Sequence, residues 1–190
     1  MTNREASPTD SKAPTRRDVI AGVSMGIGSV AFLSRNAVAV SVPNEISRAA
    51  ESIHQEALLK ADRARVYDAL TVAEKFQQVM LLSAAVKSGM VQLTTPAVIS
   101  REAGATFTLF GGHISGRNIE LIPNERIVQA WRAGDWGIGI YSIARFELVE
   151  DGAGTRLVFD HTGFPVGKAE HLAAGWRGNY WEPLAKFLAG

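Results

Sequence analysis

The sequence predicts an α+β domain in which an antiparallel β-meander is covered by a long C-terminal α-helix. Three observations carry that prediction. Between Ala105 and His161, five short stretches alternate apolar and polar residues and are punctuated by Gly, Pro and Asn. Their connections are too short for a parallel crossover, which needs about a dozen residues, so the strands run antiparallel. From Lys168 to Ala189, Trp176, Tyr180, Leu184 and Phe187-Leu188 recur at spacings of three and four, which makes one broad apolar helical stripe.

The elements follow in order. Residues 1–14 are a polar leader with Pro8 and Pro14. Residues 40–52 are a short lead-in, and Ile53–Lys60 reads as a first strand. Asp62 is placed to cap a helix whose Val66, Ala69 and Leu70 share one face. Val72 to Met90 continues as helix, with Phe76, Val79, Met80 and Leu82–Val86 apolar and Gly89 as terminator. The meander then comprises Ala105–Phe110, broken by Gly111-Gly112; Ser115–Ile122, closed by the turn Pro123-Asn124-Glu125; Arg126–Arg132; Tyr141–Val149; and, after the hairpin turn Glu150–Gly154, Thr155–His161. Such a sheet buries one face and solvates the other, and the C-terminal helix is the obvious cover. Pro183 removes a backbone donor inside that helix, so a kink is expected near Asn179–Glu182.

Residues 1–39 have the order of an export signal. Thr15-Arg16-Arg17-Asp18-Val19-Ile20 opens with paired arginines. Val19–Leu33 is apolar and rich in Gly, Ala and Ser, and Ala37-Val38-Ala39 offers a small-x-small cleavage site. This resembles a twin-arginine signal, with Arg16 and Arg17 read by the twin-arginine export machinery and Ala37 and Ala39 by signal peptidase. Thr15 stands where Ser is usual, and Val19-Ile20 where Phe-Leu is usual. The 15-residue apolar run, loosened by Gly22, Gly26 and Gly28, is short of the roughly 20 residues of a membrane span. A retained anchor and a chance apolar N-terminus are the alternatives. Export and cleavage after Ala39 leave a periplasmic chain from Val40 to Gly190.

Composition narrows the function classes. The 190-residue chain carries 20 Lys and Arg against 19 Asp and Glu. Residues 1–39 hold five of the basic and three of the acidic groups, leaving 15 against 16 and a formal charge of −1 for the remainder. A near-neutral domain argues against a nucleic-acid partner, because phosphate binding needs a basic surface. The absence of cysteine excludes disulfides, thiolate catalysis and Cys-based metal sites. The four histidines, at 54, 113, 161 and 171, show no spacing that points to a metal, and no Gly-rich phosphate loop or Ser nucleophile elbow occurs. No cofactor is expected.

Several phrases, taken in order, resemble a known family. They are Val66-Tyr67-Asp68-Ala69-Leu70; Gly111-Gly112-His113-Ile114-Ser115-Gly116; Glu120–Val128 followed by Trp131-Arg132; Phe146-Glu147-Leu148; Gly154-Thr155-Arg156-Leu157; His161-Thr162-Gly163; and His171, Gly175-Trp176 and Leu184. Their order and spacing are similar to the START-like (SRPBCC) superfamily, and within it to the domain related to the activator of the heat-shock-protein-90 ATPase. The resemblance spans roughly residues 53–189 and places a START-like domain at 53–190. It implies a helix-grip fold, a curved antiparallel sheet wrapped around the C-terminal helix with an apolar cavity between them. The family often carries a Trp pair soon after the first helix, where this chain has Phe76 and a different stretch through Gln77–Thr95.

Candidate site residues follow from the strand and helix phases. Phe76, Phe107, Trp131, Trp136, Phe146, Phe159, Trp176, Tyr180 and Trp181 fall where they face the sheet–helix space or its mouth, as cavity lining or as plain core. His161, in phase with Leu157 and Phe159, is the candidate for acid–base work, against a structural role at a strand end. Asp160 points the other way, and Arg145 with Glu147 forms a solvated pair. Gly134, Gly137 and Gly139 mark a loop or lid around Trp136. The first functional expectation is an exported module binding a small apolar or amphipathic molecule. The second is an enzyme of the same fold, cyclase- or hydrolase-like, acting on an aromatic or polyketide-like substrate. The third is a protein-interaction domain resembling the heat-shock ATPase activators. A homodimer is left open.

Overall fold

A computed structural model of the chain describes residues 51–190. The signal residues Arg16, Arg17, Ala37 and Ala39 lie outside the described residues.

Six strands form one antiparallel sheet: β1 (Ser52–Leu59), β2 (Thr106–Leu109), β3 (Ile114–Ile122), β4 (Arg126–Ala133), β5 (Ser142–Asp151) and β6 (Gly154–Thr162), in spatial order β1-β6-β5-β4-β3-β2. Four of the five neighbouring pairs are consecutive in sequence. β1 instead crosses to the far edge and pairs with β6, Ile53 opposite His161 and Leu59 opposite Thr155. Alternation decides the faces. On β4, Ile127, Gln129, Trp131 and Ala133 are buried, and on β6 Thr155, Leu157, Phe159 and His161. A register shift between Asn118 and Glu120 leaves Ile119 unpaired, and a bulge of that kind bends and twists the strand. The Phe107 ring lies over Gly116, where a Cβ would sit 2.7 Å from Phe107 Cε1 and closer still to the Ala130 carbonyl oxygen.

The predicted helix from Val72 to Met90 is corrected. α1 (Arg63–Thr71) starts at Asp62, whose carboxylate accepts from Arg65 N–H at 2.8 Å. Val72 then turns extended (φ −95°, ψ 120°), and a second helix, α2 (Ala73–Leu81), follows on a new axis. Val72 N–H still reaches Asp68 O at 2.9 Å and Val72 O still accepts from Phe76 N at 2.9 Å, so the change of direction leaves both groups bonded. A third helix, α3 (Ala84–Lys87), opens with Ser83 as N-cap, and Gly89 follows it with positive φ.

The C-terminal helix runs from α4 (Ala169–Trp176) through a π turn (Arg177–Trp181) into α5 (Glu182–Ala189). The irregularity expected near Pro183 is this widened turn rather than a sharp kink. Glu182 N–H bonds to Arg177 O, five residues back, and the proline that follows has no N–H to place. Leu172, Trp176, Tyr180, Trp181, Leu184 and Leu188 are buried against the sheet and against α1–α2. The result is the helix-grip arrangement that the resemblance implies. Trp181 Nε1–H donates to Gln55 Oε1 at 2.6 Å and Gln55 Nε2 to Ala173 O at 2.9 Å, which ties β1 to the helix.

Candidate functional site

The sheet–helix space is mostly filled by rings. Phe159 lies 4.4 Å from Trp176 and 5.0 Å from both Phe146 and Trp181, measured between centroids. Trp176 and Trp181 stack with planes 14° apart. Phe76, Phe110 and Tyr180 form a second group, with separations of 5.5–6.3 Å. Burying each ring stabilises the fold by about 1.5–3 kcal/mol relative to exposure.

His161 sits at the bottom of this cluster with no exposed surface. Trp176 Nε1–H donates to its Nδ1 at 2.9 Å. An indole nitrogen can only donate, so Nδ1 carries no proton and the hydrogen is on Nε2. Nε2–H faces Ser142 Oγ at 2.7 Å, and Ser142 Oγ donates in turn to the Trp131 carbonyl at 2.9 Å. The chain of donors runs one way and every partner is satisfied. Burial pushes the imidazole down to about 4, so it is neutral at pH 7. With both nitrogens engaged, the imidazole is held in place at the end of its strand. Asp160 points outward to His54 at 2.7 Å, and Arg145 pairs with Glu147 on the solvated face.

A pocket of about 370 Å³ opens beside this cluster, at the end of the sheet where β3 starts and β4 ends. Its inner wall is Phe110, Trp131, Trp136, Trp176 and Tyr180. Ala85 and Val91 close one side, and His113, Asp135, Lys168 and His171 stand at its mouth. Of the predicted residues, Trp131, Trp136, Trp176 and Tyr180 line it. Phe76, Phe107 and Phe146, with Tyr180 again, line only a separate void of about 10 Å³, while Phe159, His161 and Trp181 line neither. The loop holding Trp136 is tied down: Arg132 donates to the Trp136 carbonyl at 2.8 Å, and Lys168 pairs with Asp135 at 3.5 Å.

Two features of the wall were not read from the sequence. Gly175 stands inside the helix, where Gly costs about 1 kcal/mol relative to Ala. A Cβ there would meet only Asn179 Nδ2, at 4.0 Å, so the missing side chain leaves pocket space open. Its signal was available as a Gly placed between the apolar positions 172 and 176. The second feature is a pair of orphaned polar atoms. Trp131 Nε1 and Tyr180 Oη are buried without a hydrogen-bond partner, and both residues line the pocket. The indole N–H lies close enough to the phenol to favour its ionised form slightly, although the two do not meet in hydrogen-bond geometry. Burial dominates and holds the phenol proton far more tightly than in water. No group of three His, Cys, Asp or Glu side chains is placed to hold a metal among the described residues.

The family model for Activator of Hsp90 ATPase homolog 1-like protein matches residues 60–189. The chain belongs to this family. Every pocket residue named above falls within the matched span. This family member is 33% identical over 94 residues to the activator of 90 kDa heat shock protein ATPase homolog 2 of Mus musculus, covering 50% of this chain and 28% of that protein. It is 37% identical over 79 residues to the corresponding homolog of Dictyostelium discoideum, covering 41% of this chain and 21% of that one. The chain thus spans about a quarter of the length of these curated relatives. Among solved structures, an HSP90 activator from Plasmodium falciparum matches with a TM-score of 0.61 at 22% identity, over 74% of this chain and 96% of that one. The solution structure of the Aha1 dimer from Colwellia psychrerythraea matches with 0.57 at 18%, over 73% and 96%. At such identities the likeness is one of fold.

Proposed function

We propose that this domain binds a small apolar or amphipathic molecule in the pocket between β3–β4 and the C-terminal helix. The supporting observation is the pocket itself. About 370 Å³ of mostly aromatic-walled space lies within the range typical of ligand sites. Binding fits the wall better than catalysis. The two unpartnered polar atoms of its wall residues are donors, neither of which accepts a proton at neutral pH, and the buried histidine has no free nitrogen.

Native mass spectrometry of the purified full chain, with organic extraction, tests this reading. A stoichiometric small molecule is expected, lost in Gly175→Leu, whose side chain enters the pocket from a helical backbone without strain. A molecule retained in that variant refutes the pocket as its site. The Arg16-Arg17 pair, the apolar run and Ala37-Val38-Ala39 support export to the periplasm. The expected mature N-terminus is Val40, and an intact chain confined to the cytoplasm refutes export.

A second reading, docking to a protein partner, is favoured by one observation. Ile138, Ile140 and Tyr141 project exposed from the loop after β4, next to exposed Ile143. The relatives' names point to an ATPase as the kind of partner. Loss of pull-down by Ile138→Asp with ligand binding intact would favour this reading.

A further inference from the structure

The orphaned atoms of two pocket-lining residues, Trp131 and Tyr180, define what kind of molecule fits, and this deepens the binding reading on which it rests. The Trp131 indole can only donate, and the Tyr180 hydroxyl donates once and accepts. Two arrangements are open to them. In the observed one, both N–H and O–H lack an acceptor. If small rotations let the indole donate to the phenol oxygen, the phenol proton still has none. In either case the pair offers at least one proton more than it can receive. A buried donor without an acceptor is costly to the fold, so the site favours a guest that supplies one.

The side-chain acceptors of Asn179, Ser142 and His161, beside these two residues, are already engaged. Asn179 Oδ1 is already taken by Ala85 N–H at 2.9 Å, which leaves its Nδ2, a third donor, on the Gly175 side. Ser142 Oγ and both His161 nitrogens are engaged with one another and with Trp131 O and Trp176. The charge of the guest follows from the surroundings. The two donors are enclosed by Phe110, Trp131, Trp176 and Tyr180, and the pocket's lysine, Lys168, is at the mouth and paired with Asp135. A carboxylate pushed to the inner end would lose its water and gain no cation. A neutral oxygen acceptor faces no such penalty.

We infer that the pocket takes a neutral carbonyl compound, a ketone, ester, amide or quinone on an apolar ring or chain. Its oxygen enters first and, with a small turn of the two buried rings toward the pocket, accepts from Trp131 Nε1–H and Tyr180 O–H. The apolar body lies along Trp136, Trp176 and the gap left by Gly175. Any polar tail emerges between His113, His171 and the Lys168–Asp135 pair.

Two probes of nearly equal shape separate this inference from simple hydrophobic binding: 2-acetylnaphthalene and 2-isopropenylnaphthalene, titrated calorimetrically into the full chain. The carbonyl probe is expected to bind about tenfold more tightly than the hydrocarbon. In Tyr180→Phe, which deletes only an unpartnered hydroxyl, the gap should shrink severalfold through loss of affinity for the carbonyl probe, and in Trp131→Phe, which also trims the apolar wall for both probes, the ratio between the two affinities should shrink likewise. Equal binding of both probes to the wild-type chain overturns the inference and leaves the pocket reading standing. That is also the result expected if a fixed water satisfies the two donors. A gap that survives Tyr180→Phe and Trp131→Phe overturns it too. If neither probe binds, or both bind undiminished to Gly175→Leu, the pocket reading fails and takes the inference with it.

Discussion

Acidification should destabilise this domain through His161 in a way that can be calculated. The imidazole titrates at about 4 in the fold and at 6.5 when free. Because its folded value is lowered, the unfolded chain takes up a proton that the folded chain refuses, and stability rises with pH across that window. The contribution is complete above about pH 6.5 and is lost as pH falls toward 4. At about 1.4 kcal/mol per pKa unit, the interval corresponds to about 3 kcal/mol. Geometry gives the reason: a proton on Nδ1 would point a donor at the Trp176 indole N–H, also a donor. Urea unfolding followed by tryptophan fluorescence at half-unit steps from pH 7 to 4 measures the loss. His161→Gln, which keeps an acceptor and a donor but cannot titrate, supplies the baseline. Asp68 and Glu120, whose carboxyl groups are held below their usual range first by hydrogen bonds from Lys75 and Arg126, weaken both proteins alike in the same direction. The difference between the two curves therefore isolates the histidine. Parallel curves, or an imidazole that titrates near 6.5 by NMR, would refute the reasoning.

Two further outcomes are expected. Gly116→Ala should unfold the domain or cost more than about 3 kcal/mol in urea midpoint, because its Cβ meets the Ala130 backbone oxygen and the Phe107 ring, and backbone cannot step aside. Asp62→Ala should cost about 1 kcal/mol, and Asp62→Asn much less, since the amide oxygen still caps Arg65 N–H; thermal melts of the three proteins check the order.

Most of the architecture was legible because it is written locally. The alternation on β3–β6, the turn at Asn124 with its positive φ, and the capping Asp62 all act within a few residues. The break at Val72 was not legible. Val72 is apolar, is followed by a helical pattern and has no Gly or Pro beside it, so nothing local marks its extended backbone. Ser83, a good N-cap, was there to be noticed inside the apolar run. The candidate site was half legible. Strand phase correctly put Phe107, Trp131, Phe146, Phe159 and His161 on the buried face, yet phase cannot say which buried rings touch empty space. That depends on Gly175 and on the ends of β3 and β4, which converge only in three dimensions. The partners of His161 lie 15 and 19 residues away, beyond any local pattern.

The π turn at Arg177–Trp181 behaves as a one-residue insertion absorbed within a single helix. An α-helix advances about 100° per residue, so in an uninterrupted helix the steps of four from Leu172 to Leu188 would drift by about 160° around the axis. The wider turn takes up one residue, about 100° of that drift, so Leu172 and Trp176 before it and Leu184 and Leu188 after it stay on one buried side. The extra residue is thus hidden from the packing on either side of it. Deleting one residue from Arg177–Asn179 would leave a regular helix with both halves still facing the core, whereas tightening the turn without a deletion would swing Leu184 and Leu188 out of it.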